Sequence, residues 1–134
     1  MADESYKWSN VTELAPAAFT KDGRLKQRGP AMVLFYRPSC PWCKKVKADW
    51  DKFAESVRPA GVPVGAVSIA LYPELRVGFR TVPTMILYKD GVPTLYPSDA
   101  PRDWQSMCVW LCSHLDNSRA LGFCSTAPRK KCLG

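Results

Sequence analysis

The sequence predicts an α/β domain: a central mixed β-sheet of four to five strands flanked by helices on both faces. Three observations predict it. Ala31, Met32, Val33, Leu34, Phe35 and Tyr36 form an unbroken apolar run, which fits a central strand buried on both sides. Val46, Trp50, Phe53 and Val57 recur at spacings of three and four, the signature of one helical face. Segments of these two kinds alternate along 134 residues, a length suited to one compact domain.

In order along the chain, residues 6–10 read as a short first strand. Thr12 is placed to cap a helix running from Glu13 to about Lys21. Gly23 and the pair Gly29, Pro30 punctuate a connection to the apolar run. The helix carrying Val46 and Trp50 starts near Cys40 and ends before Pro59. Residues 64–69 form another buried strand and residues 73–77 a short helix. Residues 84–88 form a strand that turns at Asp90-Gly91 and returns over residues 92–96 as a hairpin. Trp104, Met107, Cys108, Leu111 and Leu115 mark a last helix within residues 102–116. Residues 1–116 make the domain. Residues 117–134 are a basic, cysteine-containing tail, expected to be loosely held.

The formal charge is +7, concentrated at Lys44, Lys45 and Lys47 and at Arg129, Lys130 and Lys131. Neither interleaved stacking aromatics nor a base-reading motif accompanies it, so it reads as a solvated basic face rather than a nucleic-acid site. No apolar stretch reaches the roughly 20 residues of a membrane helix. The polar, acidic start lacks a secretory signal. The expectation is therefore a soluble protein of the cytoplasm or another intracellular space.

Chemistry is concentrated in Cys40, Pro41, Trp42 and Cys43. Two thiols at this spacing close a small disulfide ring at the start of a helix. Unpaired N–H groups and the helix dipole there stabilise a thiolate on Cys40, and the thiolate is the nucleophile. Arg37, Lys44 and Lys45 add positive charge nearby. Cys43, one turn inside, is placed to resolve a mixed disulfide by attacking Cys40. Pro41 suits the first helical turn, where its missing N–H costs nothing, and Trp42 offers a flat apolar contact. Half of a zinc site is the alternative, with His114 and the late cysteines as the available further ligands. Strand, motif and amphipathic helix in succession favour redox chemistry, with no metal.

Arg80, Thr81, Val82, Pro83 and Thr84 lie directly before a strand. With residues 35–45, they give the chain a resemblance to the thioredoxin superfamily over about residues 6–115. The resemblance implies the thioredoxin fold and thiol–disulfide exchange on protein substrates, with no bound cofactor and recycling by a reductase or glutathione. It implies a cis-proline at Pro83 facing the disulfide, with Val82 supplying a backbone contact to the substrate. Residues 34–36, 50–53 and 96–102 resemble protein disulfide isomerase domains. The Cys-Pro-Trp-Cys core resembles glutaredoxins, although no Gly-Gly pair follows Pro83. Glutathione chemistry on Cys40 alone is thus a second reading, and a binding module without turnover a third.

Three positions depart from the pattern. Leu34 stands six residues before Cys40, where thioredoxins and disulfide isomerase domains carry a buried Asp or Glu that moves protons for the second cysteine. Resolution by Cys43 then requires water or another group. Ala48 replaces a proline that kinks the helix, and Ser39 a tryptophan. Cys108 falls on the apolar stripe and reads as a buried structural thiol. Cys124 and Cys132 are free to pair with each other, with Cys112 or between chains. The expectation is a monomer, with a disulfide-linked dimer through the tail as the alternative. His114 reads as a helix-end cap, and the sequon at Asn10 is discounted.

Overall fold

The computed structural model describes residues 6–115. Five strands form one sheet: β1 (Thr12–Glu13), β2 (Pro30–Tyr36), β3 (Val64–Ser68), β4 (Thr84–Lys89) and β5 (Val92–Leu95), in the spatial order β1-β3-β2-β4-β5. The β1–β3 and β2–β3 pairs are parallel, and β4 runs antiparallel to both β2 and β5. Residues 31–36 of β2 are all buried, as a central strand with cover on both faces requires. The β4–β5 hairpin turns through Asp90 and Gly91, both at positive φ, as its two-residue loop demands.

Helix α1 (Pro41–Val57) buries Cys43, Val46, Trp50, Phe53, Ala54 and Val57 along one face. It ends where Pro59 removes an N–H, and a 3₁₀ turn over Arg58–Ala60 closes on Gly61 at φ 72°. With Ala48 on its exposed side, α1 runs unbroken. Helix α2 (Trp104–His114) starts at Asp103, whose carboxylate accepts the Ser106 N–H at 2.9 Å and so satisfies one orphan donor. The Trp104 N–H donates to Asp49 of α1 at 3.0 Å, tying the two helices together. Both pack on the face of β2 that carries Met32, Leu34 and Tyr36.

The opposite face, with Ala31, Val33 and Phe35, is covered differently. Phe19, Leu25, Tyr72, Leu75 and Phe79 descend onto it from loops and 3₁₀ turns. The helix expected from Glu13 to Lys21 is absent: Glu13 pairs with Ala66 in β1, and only Pro16–Ala18 makes a 3₁₀ turn. Pro16 is the reason. It has no N–H for the helical bond to Thr12, and it drives Ala15 to extended backbone at φ −126° and ψ 172°. The strand expected over residues 6–10 is displaced to Thr12–Glu13, because the amides of Ser9 and Asn10 are taken by the Asp51 carboxylate at 3.1 and 2.8 Å. The short helix at 73–77 is a 3₁₀ turn over Pro73–Leu75. Gly65 lets the N-terminal segment close on the sheet, since a Cβ there would lie 2.7 Å from Leu14 Cδ1.

Candidate active site

The site forms where β2 ends and α1 begins. Arg37, Pro38 and Ser39 cross from strand to helix. The Cys40 N–H bonds the Arg37 carbonyl at 3.1 Å, and the Lys44 N–H bonds the Cys40 carbonyl at 3.0 Å. Cys40 is the N-cap of α1 and Pro41 its first residue, so the unpaired amides of the first turn surround the Cys40 sulfur. Cys40 is partly exposed, whereas Cys43 is fully buried in the core cluster that also holds Leu34. Both are free thiols.

Burial pushes the Cys40 thiol up. The amide and thiol of Cys43, the amide of Trp42 and the Arg102 guanidinium outweigh it, and Cys40 titrates below the ordinary thiol range. Cys43 is pushed up to about 12, chiefly by burial, with the Arg37 amide acting against it and the Cys40 sulfur with it. One thiol is thus poised to be a nucleophile and its neighbour to remain protonated.

The partly buried Val82 presents its carbonyl oxygen 3.9 Å from Cys40 Sγ, and the Val82–Pro83 bond is cis. Trp42, Val82, Pro83 and Arg102 line a hollow of about 250 Å³ beside the reactive sulfur. Trp42 is 59% exposed, and Lys45 Nζ sits 4.3 Å from its ring centroid, a cation–π contact. Arg37 and Lys44 point to solvent. The cation whose field reaches both thiols is Arg102, which enters from the loop before α2. Sequence proximity favours Arg37, Lys44 and Lys45, and only the fold brings Arg102 to the sulfurs. A further cavity of about 380 Å³, lined by Thr12, Leu14, Lys26, Arg58 and Gly65, contains none of these residues.

Among the described residues, no three His, Cys, Asp or Glu side chains are grouped to hold a metal ion. Cys108 is fully buried in the core beneath the helices. Cys112 is half-buried and disulfide-bonded. Cys124, Cys132 and the expected basic tail lie outside the described residues. His114 is at the C-terminal end of α2, its ring 4.2 Å from that of Trp110 and far from the dithiol in the chain's order. No helix among the described residues is long and apolar enough to cross a membrane.

Comparison with known proteins agrees with this geometry. Thioredoxin-related transmembrane protein 4 of Mus musculus is 33% identical over 70 residues, 51% of this chain and 21% of that protein. A probable protein disulfide-isomerase A4 of Caenorhabditis elegans is 31% identical over 98 residues, 71% of this chain and 15% of that protein. The chain therefore spans about a fifth or less of these relatives. The Trx4 domain of ERdj5 superposes with a TM-score of 0.68 at 20% identity, covering 80% of this chain and 96% of that one, which establishes the thioredoxin fold. The family model described as Thioredoxin matches residues 10–108, and the chain belongs to that family.

Proposed function

We propose that the protein is a thiol–disulfide oxidoreductase that exchanges its Cys40–Cys43 dithiol with disulfides in protein substrates. The supporting observation is the opposite tuning of two neighbouring thiols: Cys40 is partly exposed and acidified, Cys43 buried and held protonated. The Cys40 thiolate attacks a substrate disulfide and forms a mixed disulfide, releasing one substrate sulfur as a thiolate. Cys43 then attacks Cys40, the internal disulfide forms, and the second substrate sulfur leaves. The substrate backbone lies along Val82 and Pro83, in the hollow that Trp42 and Arg102 complete. A reductase or glutathione returns the site to its dithiol. The relative named as a probable protein disulfide-isomerase supports this reaction class.

The test is a redox titration in glutathione buffers, with the Cys40–Cys43 state read by peptide mass spectrometry. A reversible internal disulfide with a defined midpoint is expected. Cys40→Ser abolishes turnover, and Cys43→Ser accumulates the mixed disulfide. Absence of that disulfide at every poise, or full turnover by Cys40→Ser, overturns the assignment. Glutathione-dependent turnover that survives Cys43→Ser assigns the chemistry to Cys40 alone.

A further inference from the structure

The β3 edge of the sheet is covered unevenly. β1 pairs with Gly65 and Ala66, and the Leu14 N–H adds a bond to the Ala66 carbonyl at 2.7 Å. No β1 residue is paired with Val62, Pro63 or Val64, because the Asp51 carboxylate holds the amides of Ser9 and Asn10 away from the ladder. The cavity of about 380 Å³ opens there, and its size falls in the range of small-ligand sites, about 300–1,000 Å³. It meets β2 at Ala31, Met32 and Val33, whereas the dithiol follows the other end of that strand. At about 3.3 Å per residue, the two ends of β2 are roughly 20 Å apart.

The floor of the cavity is apolar, formed by the buried residues Leu25, Met32, Ala54, Val62 and Val64. Its rim is held by hydrogen bonds. The Lys26 N–H donates to the Ala18 carbonyl at 2.9 Å, beside the bridge between Phe19 and Leu25. Arg58 Nη2 donates to Asn10 Oδ1 at 2.6 Å, and the Asn10 amide is itself fixed by Asp51 at 2.8 Å. A rim ordered in this way lowers the cost of ordering a site on binding. Lys26 and Arg58 are the charged residues of the lining, which contains no Asp or Glu. The ion pairs among the described residues are Arg24–Asp22 and Lys52–Glu55, so neither cation is paired with a carboxylate there. Arg58 spends one donor on Asn10 and keeps its others available. An apolar floor beneath two unpaired cations is complementary to a ligand with an apolar body and one negative head.

We propose that this cavity is a second binding site, for a small free monocarboxylate with an apolar chain. The chain lies on Met32, Ala54, Val62 and Val64, and the carboxylate meets Lys26 and Arg58 at the rim. Charge-assisted hydrogen bonds from these two cations fix the orientation, head outward and tail inward. An uncharged apolar ligand leaves both cations unused, and a cationic one is repelled by them. The site is separate from the dithiol and does not depend on the reaction assigned to it.

The test titrates octanoate into the isotope-labelled full chain and follows the backbone amides by NMR. Saturable shifts are expected at Leu14, Lys26, Val64 and Gly65, with a Kd of about 1 mM or tighter for a ligand of this size. Octylammonium, of the same shape and opposite charge, is expected to bind at least about tenfold more weakly. Arg58→Gln and Lys26→Gln, both at exposed positions, each weaken octanoate about fivefold to tenfold. Lys44→Gln removes the same charge at the dithiol end and changes the Kd by less than about twofold. Ala54→Leu fills the floor, keeps both cations and abolishes the saturable shifts. The two cation variants carry the test even if Ala54→Leu folds poorly. Shifts centred on Cys40 and Val82, or no saturation, overturn the site. Equal binding of octylammonium, or a Lys44→Gln loss as large as that of Arg58→Gln, overturns the role of the two cations and with it the proposal.

Discussion

The two faces of the sheet are built by different means. One lies under α1 and α2, whose stripes bury Trp50, Phe53, Met107 and Leu111 over β2. The other is closed by single residues, Phe19, Leu25, Leu75 and Phe79, dropping from loops and 3₁₀ turns. The helical face also carries Cys43, Leu34 and Tyr36. A helix fixes many side chains with one rigid body, so a thiol near its N-terminus is held to the precision that disulfide exchange needs. The turn-covered face closes the core and carries none of the dithiol chemistry.

The sharpest way to break this comparison is to cut one large residue from each face. Trp50 is fully buried, stacks on Phe53 at 5.1 Å and donates to the Gly65 carbonyl at 3.2 Å. Trp50→Ala is expected to cost about 3–5 kcal/mol and to admit alkylating reagents to Cys43. Leu75→Ala, at a half-buried position, costs about 1 kcal/mol and leaves Cys43 protected. Denaturant unfolding with alkylation mapping measures both, and equal losses would abolish the asymmetry.

The helical face itself divides into a reactive edge and an inert interior. Iodoacetamide modification of Cys40 rises with pH around a midpoint below the ordinary thiol range, because the thiolate is the nucleophile and Cys40 is acidified. At neutral pH, Cys43, held up at about 12, and fully buried Cys108 stay unmodified in the folded protein. Arg102→Gln moves the Cys40 midpoint upward and slows its modification at neutral pH by about twofold to threefold. Equal reactivity of Cys40 and Cys43 would remove the division.

The smallest effect separates helix stability from chemistry. Asp103→Ala removes the cap of α2 and costs about 1 kcal/mol in thermal or denaturant unfolding, while the Cys40 profile stays in place. A shifted profile would show that the start of α2, and not Arg102 alone, sets the thiolate.

What was legible in the sequence follows the same divide. The helical stripes and the apolar run of β2 announce themselves by periodicity. Cys40, Pro41, Trp42 and Cys43 form a local motif, and Val82-Pro83 precedes a readable strand. The cover of the second face has no period to detect: Phe19, Leu25 and Leu75 act singly. The first segment departs from its expected helix because Thr12-Glu13 resembles a helix start locally, while Pro16 and the pairing with Ala66 make it a strand. Arg102 and Tyr6 reach the site through long-range packing, and their local sequence gives no sign of it. Asp103 is the exception, since an Asp three residues before Ser106 is a capping signal readable in the sequence.

The order of the strands also governs how the sheet meets other chains. Its two outer members are β1, of only two residues, and β5, which contains Pro93. A strand so short offers a passing segment almost no ladder. In β5, Val92 and Leu95 leave apolar surface exposed, the kind of edge that invites unwanted pairing. The proline withholds a donor from that rim, and both margins of the sheet are thereby guarded against amyloid-like growth.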